Sequence, residues 1–542
     1  MLTDAGKKAA AGTAAAALTL GAALAAAVPA PAAAAGRPGT GSAPGPARLD
    51  WKPCPSDDPH HGGRLKGLEC ASIRVPLDHD RPRGEQITLA LSRARHTASR
   101  SQGVVLLNRG GPGANGRDLP AMFKRSLPGT AAASYDWIGF DPRGVGASEP
   151  SLTCDPSYLY PGRARPDTVP ANAAEELAWT ARAKAFADDC ARKYRRLLPH
   201  MGTADSARDL DEIRKALGEK KLNYFGYSYG TYLGAVYATA FPGRVRRMVL
   251  DSVARPSGVW YESNLDQNIA FEKRIGVYFQ WIARHHRTYG LGKTRRAVAA
   301  AYAKARSALK AEPVDGRIGP AELDDLFLAD GYGDHNWDAH ARALAAYVVR
   351  RDPGPLRKAW TPPTPKRLNN YTMYTAVECR DAAWPRDWSR WHADAERLYR
   401  QGYRFETWSN TWYNAPCAFW AVPGGPRPEV GGSASLPPIL LVHATEDAAT
   451  PYAGALEVHR RFPSSRLLVQ AGGGNHGVSL SGDRCVDEAV AAYFDSGEIP
   501  ENRPGPDARC EAPPPPEPSG TAKPARGERR NAGHLAGHPG TR

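Results

Sequence analysis

Short apolar runs recur along the chain and alternate with stretches of helical periodicity. We predict strands in two segments whose residues alternate in polarity, at 72–75 and 87–91, and in six short apolar runs, at 104–107, 137–140, 222–225, 245–250, 439–442 and 467–469. Strands that are apolar along most of their length are typical of a parallel sheet that helices cover on both faces. The pattern therefore predicts the α/β class with a mostly parallel sheet.

Residues 257–435 interrupt this alternation. The segment has mostly helical periodicity, is rich in aromatic residues and contains proline-rich joints near 353–355 and 362–365. An insertion of this length between two strands is typical of a cap domain above the carboxyl edge of the sheet. We expect a mainly helical cap at 257–435 and a sheet domain formed by residues 49–256 and 436–510.

The two ends of the chain differ in composition from the rest. Lys7 and Lys8 precede an alanine-rich apolar run at 9–28 and a small-residue region ending near Ala35, the pattern of a secretory signal peptide. The alternative is a membrane anchor, but alanine is weakly apolar and two threonines and a glycine interrupt the run. We predict a signal peptide at 1–35, a disordered leader at 36–48, a disordered tail at 511–542, and secretion without stable membrane insertion.

The formal charge of +15 raises the question of nucleic-acid binding. The 71 basic residues are interleaved with 56 acidic ones, and there is no Lys/Arg block, zinc-finger spacing or aromatic-basic RNA motif. We therefore expect no nucleic-acid partner. A hydrophobic content of 42% with 13 Trp and 22 Tyr also excludes a wholly disordered or fibrous chain.

Eight cysteines lie outside the predicted signal peptide: Cys54, Cys70, Cys154, Cys190, Cys379, Cys417, Cys485 and Cys510. An even number in an exported protein predicts disulfides, and the absence of a CxxC pair argues against a zinc site. Pairing of sequence neighbours would close loops of about 15 to 40 residues, each worth a few kcal/mol. Eight cysteines nevertheless allow about 105 pairings, among which the sequence does not choose.

A candidate nucleophile is Ser228, within Gly226-Tyr-Ser-Tyr-Gly230. In a GxSxG motif a strand turns sharply into a helix, and the two glycines remove side chains that would clash around the exposed serine. Glycine is common in this chain, so the pattern alone is weak. An apolar strand before it and a helix-compatible stretch after it favour a nucleophile over a serine in an ordinary turn.

A serine nucleophile needs a base and an acid that orients the base. In parallel sheets that carry this motif the chain order is serine, acid, histidine. Asp447 follows the strand at 439–442 and is the predicted acid, with Glu446 as the adjacent alternative. His476 follows the last strand in a glycine-rich turn and is the predicted base.

The oxyanion of such a reaction needs backbone N–H donors. The glycine-rich turn after the strand at 104–107 can expose those of Gly110 and Gly111, and the residue after the nucleophile, Tyr229, would supply another. A second glycine-rich loop at 141–148 lacks the Gly-Lys-Ser/Thr ending of a phosphate loop. We interpret it as structural.

Taken together, Gly110-Gly-Pro-Gly113, the loop at 141–148, the serine motif, Asp447-Ala-Ala-Thr-Pro451 and Gly474-Asn-His476 resemble the α/β-hydrolase fold. More narrowly, the chain resembles secreted tripeptidyl aminopeptidases, relatives of prolyl aminopeptidases, over about residues 50–510. It departs from the prolyl enzymes in having Asn108-Arg109 where a histidine usually precedes the Gly-Gly-Pro-Gly turn, which leaves the oxyanion backbone intact. A glycine that is usual a few residues before Asp447 is also missing.

The resemblance implies a secreted serine exopeptidase that removes short N-terminal fragments, tripeptides above all, from peptides with a free amine. It implies no metal or cofactor, and we expect a monomer. An exopeptidase must also bind the substrate's α-ammonium, for which Glu378 and Asp381 in the predicted cap are candidates; the alternative for these carboxylates is a surface salt bridge with Arg380. A secreted carboxylesterase or lipase with the same triad remains the other reading, and a catalytically dead binding protein a third.

Overall fold

The protein is described by a computed structural model that covers residues 49–519. Its centre is a ten-stranded sheet with the order β1-β2-β3-β5-β4-β6-β7-β8-β9-β10. The strands are Lys52–Pro53 (β1), Glu69–Pro76 (β2), Gln86–Ala94 (β3), Val104–Asn108 (β4), Asp136–Phe140 (β5), Leu222–Tyr227 (β6), Val245–Asp251 (β7), Leu440–Ala444 (β8), Arg466–Ala471 (β9) and Ala508–Glu511 (β10). The pairs from β5 through β10 are parallel, and β1, β2 and β3 add an antiparallel edge.

Helices cover both faces of this sheet. The α-helices of the described residues are Leu119–Ser126 (α1), Ala131–Ser134 (α2), Ala173–Tyr194 (α3), Thr203–Ala216 (α4), Tyr229–Ala240 (α5), Tyr261–Arg284 (α6), His286–Tyr289 (α7), Arg295–Ala311 (α8), Pro320–Tyr332 (α9), Trp337–Arg350 (α10), Gly354–Ala359 (α11), Pro365–Asp381 (α12), Trp388–Arg400 (α13), Thr407–Asn414 (α14), Ala453–Arg461 (α15) and Arg484–Asp495 (α16). The prediction of the α/β-hydrolase fold class is confirmed.

The strand β4 shows why the sheet needs cover on both sides. All five of its residues are buried. Successive side chains of a strand point to opposite faces, and accordingly Val104 and Leu106 join one hydrophobic cluster while Val105 and Leu107 join the other. The continuous apolar runs in the sequence therefore correspond to strands with a core on each face.

Between β7 and β8 the chain forms the helices α6 to α14 and adds no strand to the sheet. A separate hydrophobic cluster, which includes Tyr278, Trp281 and Trp337, holds several of these helices together. The helix α3 precedes this segment in the sequence but packs against it, since the indole of Trp179 stacks on that of Trp412 with ring centroids 5.5 Å apart.

The four disulfides of the described residues all join sequence neighbours: Cys54–Cys70, Cys154–Cys190, Cys379–Cys417 and Cys485–Cys510, with separations of 16, 36, 38 and 25 residues. The sequence allowed this pairing of neighbouring cysteines but did not distinguish it from the other possible pairings. Within residues 49–519, no helix combines the length and the apolar character that a bilayer span requires.

The predicted start of the disordered tail, at residue 511, is wrong, because ordered structure continues beyond it. Glu511 ends β10, and the residues after it run against the helices of the insertion. The carbonyl of Pro516 accepts a hydrogen bond from Trp281 Nε1 at 2.9 Å, and the N–H of Ser519 donates to Asp338 at 3.0 Å. Polar contacts thus hold a proline-rich stretch that has little to bury. The predicted signal peptide, leader and remaining tail, at 1–35, 36–48 and 520–542, lie outside the described residues.

Candidate active site

Ser228 lies on the turn between β6 and α5, with a φ of 56°. A positive φ is uncommon for a residue with a side chain and marks a sharp local turn. The neighbouring glycines are required sterically, because a Cβ on Gly226 would lie 2.4 Å from the carbonyl oxygen of Gly230, and one on Gly230 would lie 2.7 Å from Asn108 Oδ1. The Ser228 N–H donates to the carbonyl of Asp251 at 2.9 Å and ties the turn to β7.

His476 and Asp447 follow β9 and β8, so both come from the carboxyl edge of the sheet. His476 Nδ1 lies 2.8 Å from Asp447 Oδ2 and 3.0 Å from Oδ1. The carboxylate also accepts from the N–H groups of Ala449 and Thr450 at 2.9 and 3.0 Å. Burial on its own would raise the pKa of Asp447, but the charge of His476 and these hydrogen bonds hold that pKa well below its usual range.

A second carboxylate fixes the loop after the histidine. Asp251, at the end of β7, accepts hydrogen bonds from the N–H groups of Val478 and Ser479 at 3.0 and 2.6 Å. The next residue, Ser252, accepts from the N–H of Gly477 at 2.8 Å. Sequence reasoning missed both residues. The available signal was a polar pair directly after an apolar strand.

Five of the eight predicted site residues line one cleft between the sheet and the helices of the insertion. The cleft has a volume of about 880 Å³, including the space at its open mouth, and among its lining residues are Gly111, Ser228, Tyr229, Glu378 and His476. Asp447, Gly110 and Asp381 are not part of the lining. Asp447 contacts the far nitrogen of His476, which is the position expected of an orienting acid.

Two of the three predicted oxyanion donors are available. Among the residues that the structure describes, the N–H groups of Gly111 and Tyr229 have no acceptor. The N–H of Gly110 instead donates to Asn108 Oδ1 at 2.9 Å, so the prediction that Gly110 contributes is wrong. Gly110 is required for close packing, because a Cβ there would lie 2.4 Å from the carbonyl oxygen of Tyr227.

Asp381 is a buried residue with a complete set of partners. Its carboxylate accepts from the N–H and hydroxyl of Thr203, both at 2.6 Å, and from Trp260 Nε1 at 3.1 Å. Burial raises the pKa of Asp381 to about 6, although these hydrogen bonds lower it. Because Asp381 is outside the cleft and already bonded, the structure does not support it as a substrate ligand.

Glu378 lies one turn earlier on α12 and faces the cleft. It is 4% exposed, and its Oε2 has no hydrogen-bond partner among the described residues. Burial raises the pKa of Glu378 well above its usual value, and the nearby charge of Asp381 adds to this rise. The alternative of a surface salt bridge with Arg380 is wrong, because Arg380 donates to a backbone carbonyl at 2.8 Å and both carboxylates are buried.

Comparison with known proteins gives a family for this site. A family model described as TAP-like protein matches residues 403–510. The chain is 42% identical to the tripeptidyl aminopeptidase of Streptomyces lividans over 463 residues, which cover 83% of this chain and 85% of that protein. The chain belongs to the tripeptidyl aminopeptidase family. The predicted family resemblance is confirmed, and with it the assignment as a serine hydrolase.

Two further relatives are named for different activities. Serine protease Hip1 of Mycobacterium tuberculosis is 32% identical, with 83% of this chain and 89% of that protein covered. Carboxylesterase B of the same species is 30% identical, with 85% of this chain and 91% of that protein covered. The family therefore includes chains named for peptide and for ester substrates, and the choice between them depends on the cleft.

Proposed function

We propose that this protein is a secreted serine exopeptidase that releases tripeptides from the free N-terminus of peptides. The observation that carries the proposal is the buried Glu378 carboxyl, whose Oε2 has no partner among the described residues, in the same cleft as Ser228 and His476. A buried polar group without a partner costs free energy, so a group that remains unpaired beside a nucleophile is suited to bind substrate. The four disulfides support action outside the cell, where such bonds persist.

The proposed mechanism forms and then hydrolyses an acyl-enzyme. Ser228 Oγ attacks the scissile carbonyl while His476 Nε2 takes the hydroxyl proton. The resulting oxyanion accepts hydrogen bonds from the N–H groups of Gly111 and Tyr229. His476 then donates that proton to the leaving amine as the peptide bond breaks. A water molecule, activated by the same imidazole, releases the acyl fragment and restores the serine. Asp447 holds the Nδ1–H and stabilises the imidazolium throughout.

Glu378 is the proposed ligand of the substrate's α-ammonium. In the free protein, burial favours the neutral form of Glu378 and raises its pKa, although hydrogen bonds from Tyr374 and Asn264 act in the other direction. An incoming ammonium supplies the opposite charge and favours the ionised form. The resulting charge-assisted hydrogen bond is among the strong ones in proteins. A peptide whose amine is acetylated would leave the carboxyl without this partner.

The test compares one chromogenic tripeptide anilide with its N-acetylated form, using the purified protein and Ser228→Ala as the inactive control. We expect release of the aniline from the free-amine substrate only. Equal release from both forms would refute the exopeptidase proposal. The second candidate, a secreted carboxylesterase, is favoured by the relative named for that activity, and faster turnover of nitrophenyl esters than of any free-amine peptide would establish it.

A further inference from the structure

The cleft has a second charged position, formed by Arg255 and Asp266. Both residues line it, and Arg255 Nη2 lies 3.0 Å from Asp266 Oδ2. The two side chains are 28% and 42% exposed. They are therefore accessible from the open space of the cleft, whereas Glu378 is nearly fully buried.

Arg255 and Glu378 belong to elements that are associated with strands on the two sides of β6. The helix α12, which carries Glu378, packs on the loop after β4, since a Cβ on Gly113 would lie 2.6 Å from a carbonyl oxygen of that helix. Arg255 follows β7 and lies against the start of α15, the helix after β8, since a Cβ on Gly454 would lie 3.0 Å from the Arg255 backbone nitrogen. In the sheet, β6 lies between β4 and β7. Ser228, at the end of β6, thus shares its cleft with an acidic position from the β4 side and a basic position from the β7 side.

The Arg255 guanidinium keeps donors that the protein does not use. A guanidinium has five N–H groups in a planar fork that suits a carboxylate. Asp266 forms an ion pair with Arg255 through Nη2, and Arg255 Nε is buried with no hydrogen-bond partner among the described residues. One carboxylate therefore holds the side chain in place while part of its donor set stays unpaired.

We propose that Arg255 is a specificity residue for the leaving fragment and binds a carboxylate on it. This inference rests on the proposed function: with the substrate amine at Glu378 and the scissile carbonyl at Ser228, the fragment beyond the scissile bond extends toward β7 and β8. Two sources can supply the carboxylate. One is the free C-terminus of a short peptide, and the other is an acidic side chain just after the cleaved bond.

The experiment measures tripeptide release from three tetrapeptides that share their first three residues. The first ends in alanine with a free carboxylate, the second in alanine amide, and the third in aspartate amide. We expect kcat/KM for the first to exceed that for the second by about tenfold or more, as for a hydrogen bond to a charged group. A gain for the aspartate amide as well would show that a side-chain carboxylate also binds.

The variant Arg255→Gln should reduce the ratio of acid to amide kcat/KM to about one, while Arg255→Lys should retain part of it. The matched control is Arg390→Gln. Arg390 is exposed, lies outside the cleft and is 4.0 Å from Glu262, which is on α6, the helix that also carries Asp266. This variant should keep the ratio of the unmodified protein. Equal turnover of acid and amide by the unmodified protein would overturn the inference with no variant needed. Failure to release tripeptides from any free-amine peptide would instead overturn the proposed function.

Discussion

Ser252 Oγ accepts a hydrogen bond from the backbone N–H of Gly477 at 2.8 Å, and Gly477 directly follows His476. Ser252 itself has a φ of 60°, a backbone conformation that costs a side-chain-bearing residue on the order of 1–3 kcal/mol. The turn directs the hydroxyl from the end of β7 to the histidine loop after β9. We infer that Ser252 is a positioning residue for the proposed base, His476.

We expect Ser252→Ala to lower kcat by about tenfold, because small losses of alignment at a base are costly for the reaction. KM should change little, since Ser252 does not line the cleft. Steady-state kinetics on the free-amine tripeptide anilide measures both constants. The exposed Ser496→Ala is the control. A rise in KM with unchanged kcat would contradict a positioning role.

Asp447→Asn should lower kcat by about 10⁴-fold, because an amide at this position favours the wrong tautomer of His476. The neighbouring Glu446 is exposed and provides a matched control. Glu446→Gln should retain activity. Full activity of Asp447→Asn, or a comparable loss in Glu446→Gln, would move the role of orienting acid to the neighbour.

Glu378→Gln should raise KM for free-amine peptides by about tenfold or more, because it removes the charge that pairs with the ammonium. It should also change stability. The raised pKa of Glu378 means that the folded protein binds more protons than the unfolded chain above a pH of about 4.3. The free energy of unfolding therefore falls as pH rises through this window.

Glu378→Gln removes that contribution to the slope, and denaturant titrations at several pH values measure it. Asp381→Asn is the comparison, because it changes a carboxyl that has its partners and lies outside the cleft. Unchanged KM in Glu378→Gln would remove Glu378 from the amine site.

We expect the burial of His443, at the end of β8, to lower the stability of the protein in acid. Its ring is buried and its Nδ1 accepts from the Val253 N–H at 2.9 Å, so the folded protein holds it neutral. Burial lowers the pKa of His443 to about 4, below the unfolded value of about 6.5. The contribution is fully present above pH 6.5 and decreases by up to about 3 kcal/mol as pH falls toward 4. Urea titrations of His443→Gln should show a smaller pH dependence than those of the unmodified protein.

The disulfide Cys379–Cys417 holds the helix that carries Glu378. Replacing both cysteines with serine should lower the free energy of unfolding by about 4 kcal/mol for a loop of 38 residues. KM should rise as well, because Cys379 is adjacent to Glu378. The control is Cys485–Cys510, which closes a loop of 25 residues away from the cleft. Its removal should cost about 3.5 kcal/mol and leave KM unchanged.

Local features of the sequence predicted much of the sheet. Apolar runs located six strands, because strands buried on both faces are apolar throughout, and alternation located β2 and β3. The strands β1 and β10 were missed, since each is short and shows little alternation: Lys52–Pro53 and Ala508–Glu511. They are edge strands whose ends are tied by Cys54–Cys70 and Cys485–Cys510, so their pairing depends on contacts that composition does not reveal.

The acidic candidates show where sequence reasoning ends. Glu378 and Asp381 are three residues apart on one helix, and the pattern could not distinguish them. In the structure, Asp381 bonds to Thr203 and Trp260, which are 178 and 121 positions away in the chain. Glu378 has no such partner for Oε2 and faces the cleft.

The sequence by itself determined the strand pattern, the Ser228 turn and the order of serine, acid and histidine, because these depend on residues close together in the chain. Only the tertiary structure decided that, among the described residues, the N–H of Gly111 keeps no acceptor whereas that of Gly110 has one, and that Arg255 and Glu378 line the same cleft. The physical reason is that a buried polar group forms hydrogen bonds with whichever partner folding brings to it. For these groups, the partner is either a residue from a distant part of the chain or a nearby side chain whose orientation depends on the fold.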